Sequence, residues 1–331
     1  MKTVFSKLLF ICFIVAVNAS PAASQSKPVP KIIFDTDMGP DYDDIGAITI
    51  LHNLALKGEC EILATVASDG HATIAPTIDL FNTFFKRPDI PVGLAGNGAP
   101  GFPAGNNWND AVLKQFGAGN FEKKQYAAAV AIYREVLSKQ KDQTVTIVTV
   151  GFLTNIRDLL NSKPDKFSPL NGLELVRKKV KNWVAMAGAF PEGSEFNLNQ
   201  HGDAAYEAIS KWPGQIVFSG FEIGNKIFTG GKVAKTNGQD NPIAWAYAYN
   251  LKTYTGKPEA NRESWDQTAV LCAIRNPVKY FYVNGPGKMI IHTNGSNSWD
   301  PDVNARHYFL SHKYPYQKIA DILDDLMIPG K

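Results

Sequence analysis

The sequence predicts an α/β protein with an open, mostly parallel sheet flanked by helices. Short runs rich in β-branched residues alternate along the chain with segments in which apolar residues recur at helical spacing. This alternation is typical of parallel strands connected by crossover helices. Of the 331 residues, 44% are hydrophobic and 20% are charged, which supports a buried core and excludes a disordered chain.

The first half of the chain contains four such pairs of elements. Apolar or β-branched runs predict strands at 31–34, 61–67, 90–95 and 145–150. Helical spacing predicts helices at 44–56, 77–86, 121–139 and 154–160. Each strand is therefore followed by a helix, as a parallel sheet requires.

The second half begins in the same way and then changes. Strands are predicted at 183–187 and 216–219, with a helix at 204–210 between them. Residues 279–300 carry Asn-Gly pairs and alternating side chains, which predict strand and hairpin additions to the sheet. A last helix is expected at 315–327. Because no linker, repeat or change of composition interrupts the chain, we expect a single domain over 28–331.

The N-terminus has the layout of a secretory signal peptide. Lys2 and Lys7 precede an apolar run over 8–17, and small residues follow it. The alternative, a membrane anchor, requires about 20 apolar residues, and this run is well short of that. We therefore predict a signal peptide over 1–24 and an exported protein, periplasmic or secreted. No other segment is long and apolar enough to span a membrane, so no membrane partner is expected.

Charge and cysteine content exclude further classes. The 34 basic and 31 acidic residues nearly balance, which is not the basic surface that nucleic-acid binding requires. After removal of the predicted signal peptide only Cys60 and Cys272 remain, and both lie in apolar stretches. Buried free thiols are the favoured interpretation, and a disulfide-framed fold is excluded.

An unusually acidic segment follows the first predicted strand. Asp35, Asp37, Asp41, Asp43 and Asp44 fall within ten residues, between an apolar strand and a helix. Ligands of open parallel sheets bind at the carboxyl ends of the strands, so this segment lies where chemistry is expected. So many like charges repel each other, and a hard cation such as Ca²⁺ or Mg²⁺ would relieve the repulsion.

Other interpretations of the acidic segment are weaker. Asp43 and Asp44 could simply complement a helix N-terminus, and the remaining acids could be solvated. Zn²⁺ is disfavoured because the segment contains no His or Cys. The calcium loop of an EF-hand does not fit either, because Gly39, Pro40 and Gly46 occupy positions where that loop needs an acid or amide, a glycine and a glutamate.

The motifs of this chain resemble those of the inosine–uridine nucleoside N-ribohydrolase family. The segment DTDMGPDYDDIGAI is similar to the family's first acidic signature, with two extra residues before the final acid pair. ILATVASDG, IVTVGFLTNI, EFN and SWDQTAVL resemble further family segments and occur in the family's order. The resemblance covers nearly the whole mature chain and implies a Rossmann-like sheet. It also implies calcium-dependent hydrolysis of the N-glycosidic bond of ribonucleosides or related ribosides, giving ribose and a free base.

The resemblance implies a set of metal ligands. Asp37 would bind Ca²⁺ and act as the general base that takes a proton from water. Asp44, the main-chain carbonyl of Val150 and the distal Asp266 would complete the protein's share of the coordination. Ser264 with Gln267 can also be interpreted as a capping box that opens a helix, in which case Asp266 would only complement the helix dipole.

The resemblance also implies substrate contacts. Asp43 would accept a hydrogen bond from a ribose hydroxyl, Asn197 would contact the ribose hydroxyls, and Glu195 would contact the 5′ end. Asp69 occupies a loop where relatives often have other residues, and we expect it to contact substrate. Asp35 is expected to support the acidic loop, and Asp41 has no assignment.

One departure from the family pattern concerns the leaving group. Many relatives carry His immediately before the distal acid, whereas this chain carries Trp265. Indole does not deliver a proton at neutral pH but can stack on a base, so Trp265 is predicted to bind substrate. His71, His201 and His307 are candidate acids in its place. Glu222 follows another predicted strand and is a candidate for the pocket wall.

Two other functions are compatible with parts of the sequence. The strand followed by Asp35 and Asp37 is similar to the start of an Asp-nucleophile phosphatase of the haloacid dehalogenase type, although Gly39 does not fit that pattern. A non-catalytic nucleoside- or ribose-binding protein with the same fold is the other alternative. The expected partner is a small nucleoside or riboside, and the resemblance implies a homodimer or homotetramer.

Overall fold

The computed structural model describes residues 29–96, 98–236 and 240–328, so the predicted signal peptide over 1–24 lies outside the described residues. The strands are β1 Lys31–Thr36, β2 Glu61–Ala67, β3 Val92–Leu94, β4 Ala127–Ala128, β5 Val145–Thr149, β6 Val180–Met186, β7 Glu192–Ser194, β8 Gln215–Ser219, β9 Phe228–Thr229, β10 Arg262–Glu263, β11 Phe281–Ile291, β12 Ser296–Asp300 and β13 His307–His312. The α-helices are α1 Asp44–Leu56, α2 Ile74–Phe84, α3 Trp108–Val112, α4 Ala129–Ser138, α5 Thr154–Asn161, α6 Gly172–Lys179, α7 Phe196–Asn199, α8 Gly202–Lys211, α9 Phe221–Gly224, α10 Gly231–Ala234, α11 Pro242–Thr255, α12 Asp266–Ile274 and α13 Tyr316–Met327.

The central sheet has 11 strands in the order β4-β3-β2-β1-β5-β6-β8-β13-β11-β12-β7. Every strand pairing from β4 to β13 is parallel. Beyond β13 the pairings are antiparallel: β11 pairs with β13, β12 with β11, and β7 with β12. The α/β class and the mostly parallel sheet predicted from the sequence are therefore confirmed. A small antiparallel pair, β9 with β10, lies outside this sheet.

Two apolar layers cover the two faces of the sheet. On β1, Ile32 and Phe34 join the layer formed with α1, α2 and α11–α13, whereas Ile33 between them joins the layer formed with α4, α5, α6 and α8. This division follows from the alternation of side chains along a strand. Because both faces of β1 are covered, its sequence is a continuous apolar run rather than an alternating one.

Most predicted elements lie within a few residues of their positions in the structure. The helix predicted over 121–139 is the main exception, because α4 begins only at Ala129. Ala127 and Ala128 instead pair with β3 at the sheet edge. Ahead of them, Lys124 and Tyr126 both donate to Asp79. These tertiary contacts hold the segment in an irregular conformation that helix propensity alone does not reveal.

The strand order indicates where in the sheet a ligand site is expected. From β1 the chain proceeds outward through β2, β3 and β4, and then returns to the other side of β1 as β5. The carboxyl ends of β1 and β5 therefore border a topological switch point, where crossover loops separate and leave a crevice. Of the helices in the described part of the chain, none combines the length and apolar character needed to cross a bilayer.

Candidate active site

The acidic loop folds back onto the start of α1. Met38 adopts a φ of +47° and Gly39 a φ of +122°, which reverses the chain directly after β1. The Thr36 hydroxyl and the Met38 N–H both donate to Oδ1 of Asp44, the N–H at 3.1 Å. Trp108 Nε1 holds the outer part of the loop by donating to the Asp41 carbonyl at 2.7 Å. These hydrogen bonds hold the loop against α1 and Trp108.

Asp43 joins the acidic loop to the distal acid motif. It occupies the N-cap position of α1 but makes no side-chain cap there. Its Oδ2 instead accepts the N–H groups of Trp265 at 2.9 Å and Asp266 at 3.0 Å, across more than 220 residues of sequence. The first turn of α12 is therefore capped by a carboxylate from another part of the chain, which also brings Asp266 to the loop.

The capping box considered for Ser264 and Gln267 is wrong. α12 has no side-chain cap of its own. Ser264 Oγ forms a hydrogen bond with Thr229 Oγ1 at 2.6 Å, and Gln267 Nε2 donates to the Tyr247 hydroxyl at 3.2 Å. Both side chains serve the packing of α12 rather than its N-terminus.

A cavity of about 320 Å³ lies above these acids. It is lined by Asp37, Pro40, Asp41, Asp43, Val150, Met186, Glu195, Phe196, Asn197, Phe221, Trp265 and Asp266. Except for Asp44, which is buried at the start of α1, every predicted metal ligand is among these residues. The predicted ribose-binding residues and Trp265 line the same cavity, so the structure brings together segments that are far apart in sequence.

The carboxylates of this site are crowded and buried. Burial raises the pKa of Asp37 and of Asp266 well above the usual range, and the neighbouring acids raise it further. Burial and the charge of Asp41 raise the pKa of Asp44 to about 6, although hydrogen bonds from Thr36 and Met38 oppose the shift. Without a counter-charge, the site disfavours its own ionised form.

This donor set fits a hard divalent cation. Carboxylate oxygens of Asp41, Asp43 and Asp44 lie within 4.8 Å of one another, so a cation could bridge them. The ligand set predicted from the sequence overlaps that group only at Asp44. Asp37 and Asp266 belong to the same electrostatic cluster, because the charges of Asp41, Asp43 and Asp44 raise the pKa of both. The cavity lining includes no His or Cys from the described residues, which disfavours Zn²⁺.

Asn197 and Glu195 form the wall of the cavity that faces the acidic loop. Asn197 Nδ2 donates to the carbonyls of Val150 and Met186, both at 3.2 Å, and so ties α7 to the ends of β5 and β6. Both carboxylate oxygens of Glu195 accept backbone N–H groups, from Asn197 at 2.7 Å and from Gly188 at 3.2 Å. Burial is the largest effect on Glu195 and raises its pKa to about 7.

Trp265 lies in the cavity wall with its indole N–H already engaged. Nε1 donates to the Phe221 carbonyl at 2.8 Å, and the two rings stack at a centroid distance of 5.6 Å. Phe221 lines the cavity and is 42% exposed. Glu222, the residue predicted for the pocket wall, is not among the lining residues, and its carboxylate accepts the N–H of Phe190. The strand-end rule that pointed to Glu222 could equally have indicated Phe221.

The remaining predicted residues lie outside the cavity lining. Asp69 is buried, and its two oxygens accept the N–H groups of His71 at 2.6 Å and Phe102 at 2.9 Å. Through these hydrogen bonds Asp69 supports its own loop. Its side chain is not among those that line the cavity. The pKa of Asp69 is raised by burial to about 6.

The three candidate histidines have other partners. His71 contacts Thr73, His201 contacts Thr154 and Arg157, and the ring of His307 accepts the Met289 N–H. Within the part of the chain that the structure describes, no histidine lines the cavity.

Asp35 and Asp41 have clear structural partners. Asp35 is fully buried and accepts the Tyr133 hydroxyl at 2.7 Å and Asn155 Nδ2 at 3.2 Å, which supports the base of the acidic loop. Asp41 forms an ion pair with Arg262 at 2.8 Å, and the guanidinium also lies 4.9 Å from the Tyr42 ring centroid. Sequence reasoning missed Arg262, because only the fold brings β10 beside the loop.

The open, mostly parallel sheet and the carboxylate-lined cavity at its switch point define an α/β protein with a ligand site at the carboxyl ends of its strands. The model of the family described as "Inosine-uridine preferring nucleoside hydrolase" matches residues 32–310. The chain therefore belongs to that family, whose members are N-glycosyl hydrolases that act on small-molecule nucleosides.

Individual proteins similar to this chain are known from sequence and from solved structures. "Uncharacterized protein C1683.06c" of Schizosaccharomyces pombe is 30% identical over 253 residues, which are 69% of this chain and 74% of that protein. The pyrimidine-specific ribonucleoside hydrolase RihA of Salmonella dublin is 30% identical over 208 residues, which are 59% of this chain and only 61% of RihA. The solved structure of the plant nucleoside hydrolase PpNRh1 has a TM-score of 0.65 at 18% identity and covers 91% of this chain and 100% of its own. At that identity the likeness shows the fold.

Proposed function

We propose that this protein is a Ca²⁺-dependent ribonucleoside hydrolase that cleaves the N-glycosidic bond to give ribose and a free base. The observation that carries the proposal is the position of Asp37. It is buried, it lies in the cavity wall directly after β1, and it shares the cavity with Asp43, Asp266 and Asn197. A general base, a charged site for a cation and ribose-facing polar groups therefore meet in one place.

Asp37 is proposed to take the proton of the attacking water. A divalent cation held by Asp37, Asp44 and Asp266 would make that water more acidic and orient the ribose hydroxyls, and its charge would keep Asp37 ionised. The transition state of such hydrolysis carries positive charge on the sugar, which the surrounding carboxylates stabilise.

Calcium is proposed because of the chemistry of the donors. Asp37, Asp44, Asp266 and the Val150 carbonyl offer oxygen atoms only, and Ca²⁺ accepts a larger and less regular set of oxygens than Mg²⁺. The Val150 carbonyl accepts Asn197 Nδ2, and its second lone pair would be available to a cation. Asn197 would thereby connect the cation, through the Val150 carbonyl, with the cavity wall that α7 forms.

The ribose is proposed to lie between Asp43 and the α7 wall. Asp43 has its Oδ2 engaged with α12, and its other carboxylate oxygen is proposed to accept a hydrogen bond from a ribose hydroxyl. Asn197 and Glu195 face the cavity from the opposite side. The cavity of about 320 Å³ is at the lower end of the usual range for small-molecule sites, which suits a single nucleoside.

We further propose that the protein acts after export, on the strength of the N-terminal sequence over 1–24, and that it assembles as a homodimer or homotetramer like the family it belongs to. Detection of the mature chain with a new N-terminus outside the cytoplasm tests the first point. Light scattering of the purified protein tests the second.

The central experiment is a panel of nucleosides assayed for released ribose, with Ca²⁺ and with a chelator. Ca²⁺-dependent release by the wild-type protein, lost in Asp37→Asn, is expected. Asp79→Asn is a matched control, because Asp79 is equally buried but pairs with Lys124 away from the cavity. Tight ribose binding without turnover would favour a non-catalytic binding protein instead. Release of phosphate from phosphate esters would favour the phosphatase alternative.

A further inference from the structure

The charged residues that line the cavity are all acidic. Asp37, Asp41, Asp43, Glu195 and Asp266 face the space, and within the described residues no Lys, Arg, His or Tyr is among the lining. The nearest guanidinium, that of Arg262, is paired with Asp41. Together with Asp44, the site holds six carboxyl groups, against the positive charges of Arg262 and one divalent cation. A ligand that fills the rest of the cavity therefore meets a negative environment.

The wall of the cavity next to Asp266 also lacks a proton donor. The indole N–H of Trp265 already donates to the Phe221 carbonyl, and the carboxylate of Asp41 is paired with Arg262. A neutral nucleobase leaves as an anion unless it is protonated, so it needs a donor that this wall does not offer. A base that is already cationic needs none.

Aromatic faces take the place of the donor. Phe221 and Phe196 are 42% and 43% exposed, and both line the cavity with Trp265. Flat rings attract a delocalised cation through their quadrupoles, with roughly two- to thirtyfold stronger binding than for a neutral ring. Acidic residues and exposed rings around one space form the kind of site that recognises organic cations.

From these three features we propose that the preferred substrates are N-ribosides whose base carries a positive charge at the glycosidic nitrogen, that is, pyridinium or similarly quaternised ribosides. This rests on the proposed hydrolase function and specifies its substrate class. In the reaction, the bond between C1′ and the cationic nitrogen breaks, and its electron pair neutralises that nitrogen. Water forms the new bond to C1′ and gives one proton to Asp37. No proton is delivered to the leaving base.

The test uses two probes that share a leaving nitrogen. Nicotinamide riboside is a cation, whereas nicotinic acid riboside carries the same pyridinium with an added carboxylate and no net charge. With the Ca²⁺-loaded full chain, kcat/KM for the cation is expected to exceed that for the zwitterion at least about tenfold, and the ratio should shrink with added salt. Among inhibitors, 1-methylnicotinamide should compete at least about tenfold more strongly than neutral nicotinamide.

A matched pair of variants isolates the rings. Phe221→Leu keeps an apolar side chain but removes the exposed ring, so the preference for 1-methylnicotinamide over nicotinamide should fall about threefold or more. Phe228 is similarly exposed, at 44%, on β9 outside the cavity lining, and Phe228→Leu should leave the preference unchanged. An equal effect of both variants would contradict the role of Phe221.

The outcomes distinguish a failure of the proposed hydrolase function from a failure of the proposed preference for cationic bases. If no riboside, charged or neutral, releases ribose, the hydrolase function itself fails. If inosine or uridine is hydrolysed while nicotinamide equals 1-methylnicotinamide as an inhibitor, the function stands and the preference for cationic bases is refuted. Turnover of neutral nucleosides that disappears as the pH rises through about 7 would also refute it, because it would indicate that a carboxylic acid such as Glu195 protonates the leaving base.

Discussion

The link between Asp43 and α12 can be measured with two substitutions at one position. Asp43→Asn and Asp43→Ala remove the same negative charge from the acidic cluster, so both relieve the same repulsion. Only asparagine keeps an oxygen that can accept the N–H groups of Trp265 and Asp266. The difference in stability between the two variants therefore reports these hydrogen bonds rather than the charge.

The magnitude follows from what alanine leaves behind. Both N–H groups belong to the first turn of α12, which has no side-chain cap of its own. A buried donor without a partner costs about 1–3 kcal/mol, so two donors correspond to roughly 2–6 kcal/mol. At about 2 °C per kcal/mol for a chain of this size, Asp43→Ala should melt roughly 4–12 °C below Asp43→Asn. Calorimetry or circular dichroism in chelator excludes any contribution from bound cation.

An aspartate with an exposed ion pair provides the matched control. Asp142 forms an exposed ion pair with Lys179, so Asp142→Asn and Asp142→Ala should differ by less than about 1 kcal/mol. Equal melting temperatures for the two Asp43 variants would refute the capping of α12 by Asp43. The link between the acidic loop and the distal acid would then have to reside elsewhere.

Further predictions concern the cation, the base and the pH dependence. Calorimetry should show about one Ca²⁺ per chain in the wild type and a clear loss of affinity in Asp44→Ala, because a buried ligand is removed. Asp37→Asn should lower turnover by at least ~10²-fold with a smaller change in substrate affinity, as measured by steady-state kinetics. Trp265→Ala should raise KM for nucleosides ~5- to 100-fold and change the rate on p-nitrophenyl riboside less, because stacking on the base is lost. Burial raises the pKa of Glu195 from 4.5 to about 7, so its stabilising effect is present below pH 4.5 and is lost as the pH rises through about 7. Urea unfolding in chelator should therefore show a smaller loss across that window in Glu195→Gln than in the wild type, by up to about 3 kcal/mol, while Asp44 and Asp69 titrate in both.

Each of these predictions has an outcome that contradicts it. Unchanged Ca²⁺ affinity in Asp44→Ala would remove Asp44 from the ligand set. Turnover of Asp37→Asn within a few-fold of wild type would exclude Asp37 as the base. Equal losses on nucleosides and on p-nitrophenyl riboside would show that Trp265 only shapes the start of α12. A pH dependence of stability that is identical in wild type and Glu195→Gln would mean that Glu195 is not the titrating group.

The sequence determined the parts of this protein whose signals are local. β-branched runs and helical spacing predicted β1, β2, β5, α1 and the last helix close to their bounds, because both faces of the central strands are buried and their residues must be apolar. The five acids after the first strand marked the site, because like charges in one loop are costly without a counter-charge. The order of the motifs indicated the family, which the match over residues 32–310 confirmed.

Only the tertiary structure decided how separate segments complete the site. Nothing local in the sequence shows that Asp43 caps α12, that Arg262 pairs with Asp41, or that the Phe221 carbonyl engages the Trp265 indole. The helix predicted over 121–139 was wrong in its first part for the same reason, since Asp79 on another helix holds Lys124 and Tyr126. These contacts join residues between about 40 and 220 positions apart, and their partners are fixed by the folding of the sheet rather than by local propensity, which depends only on near neighbours.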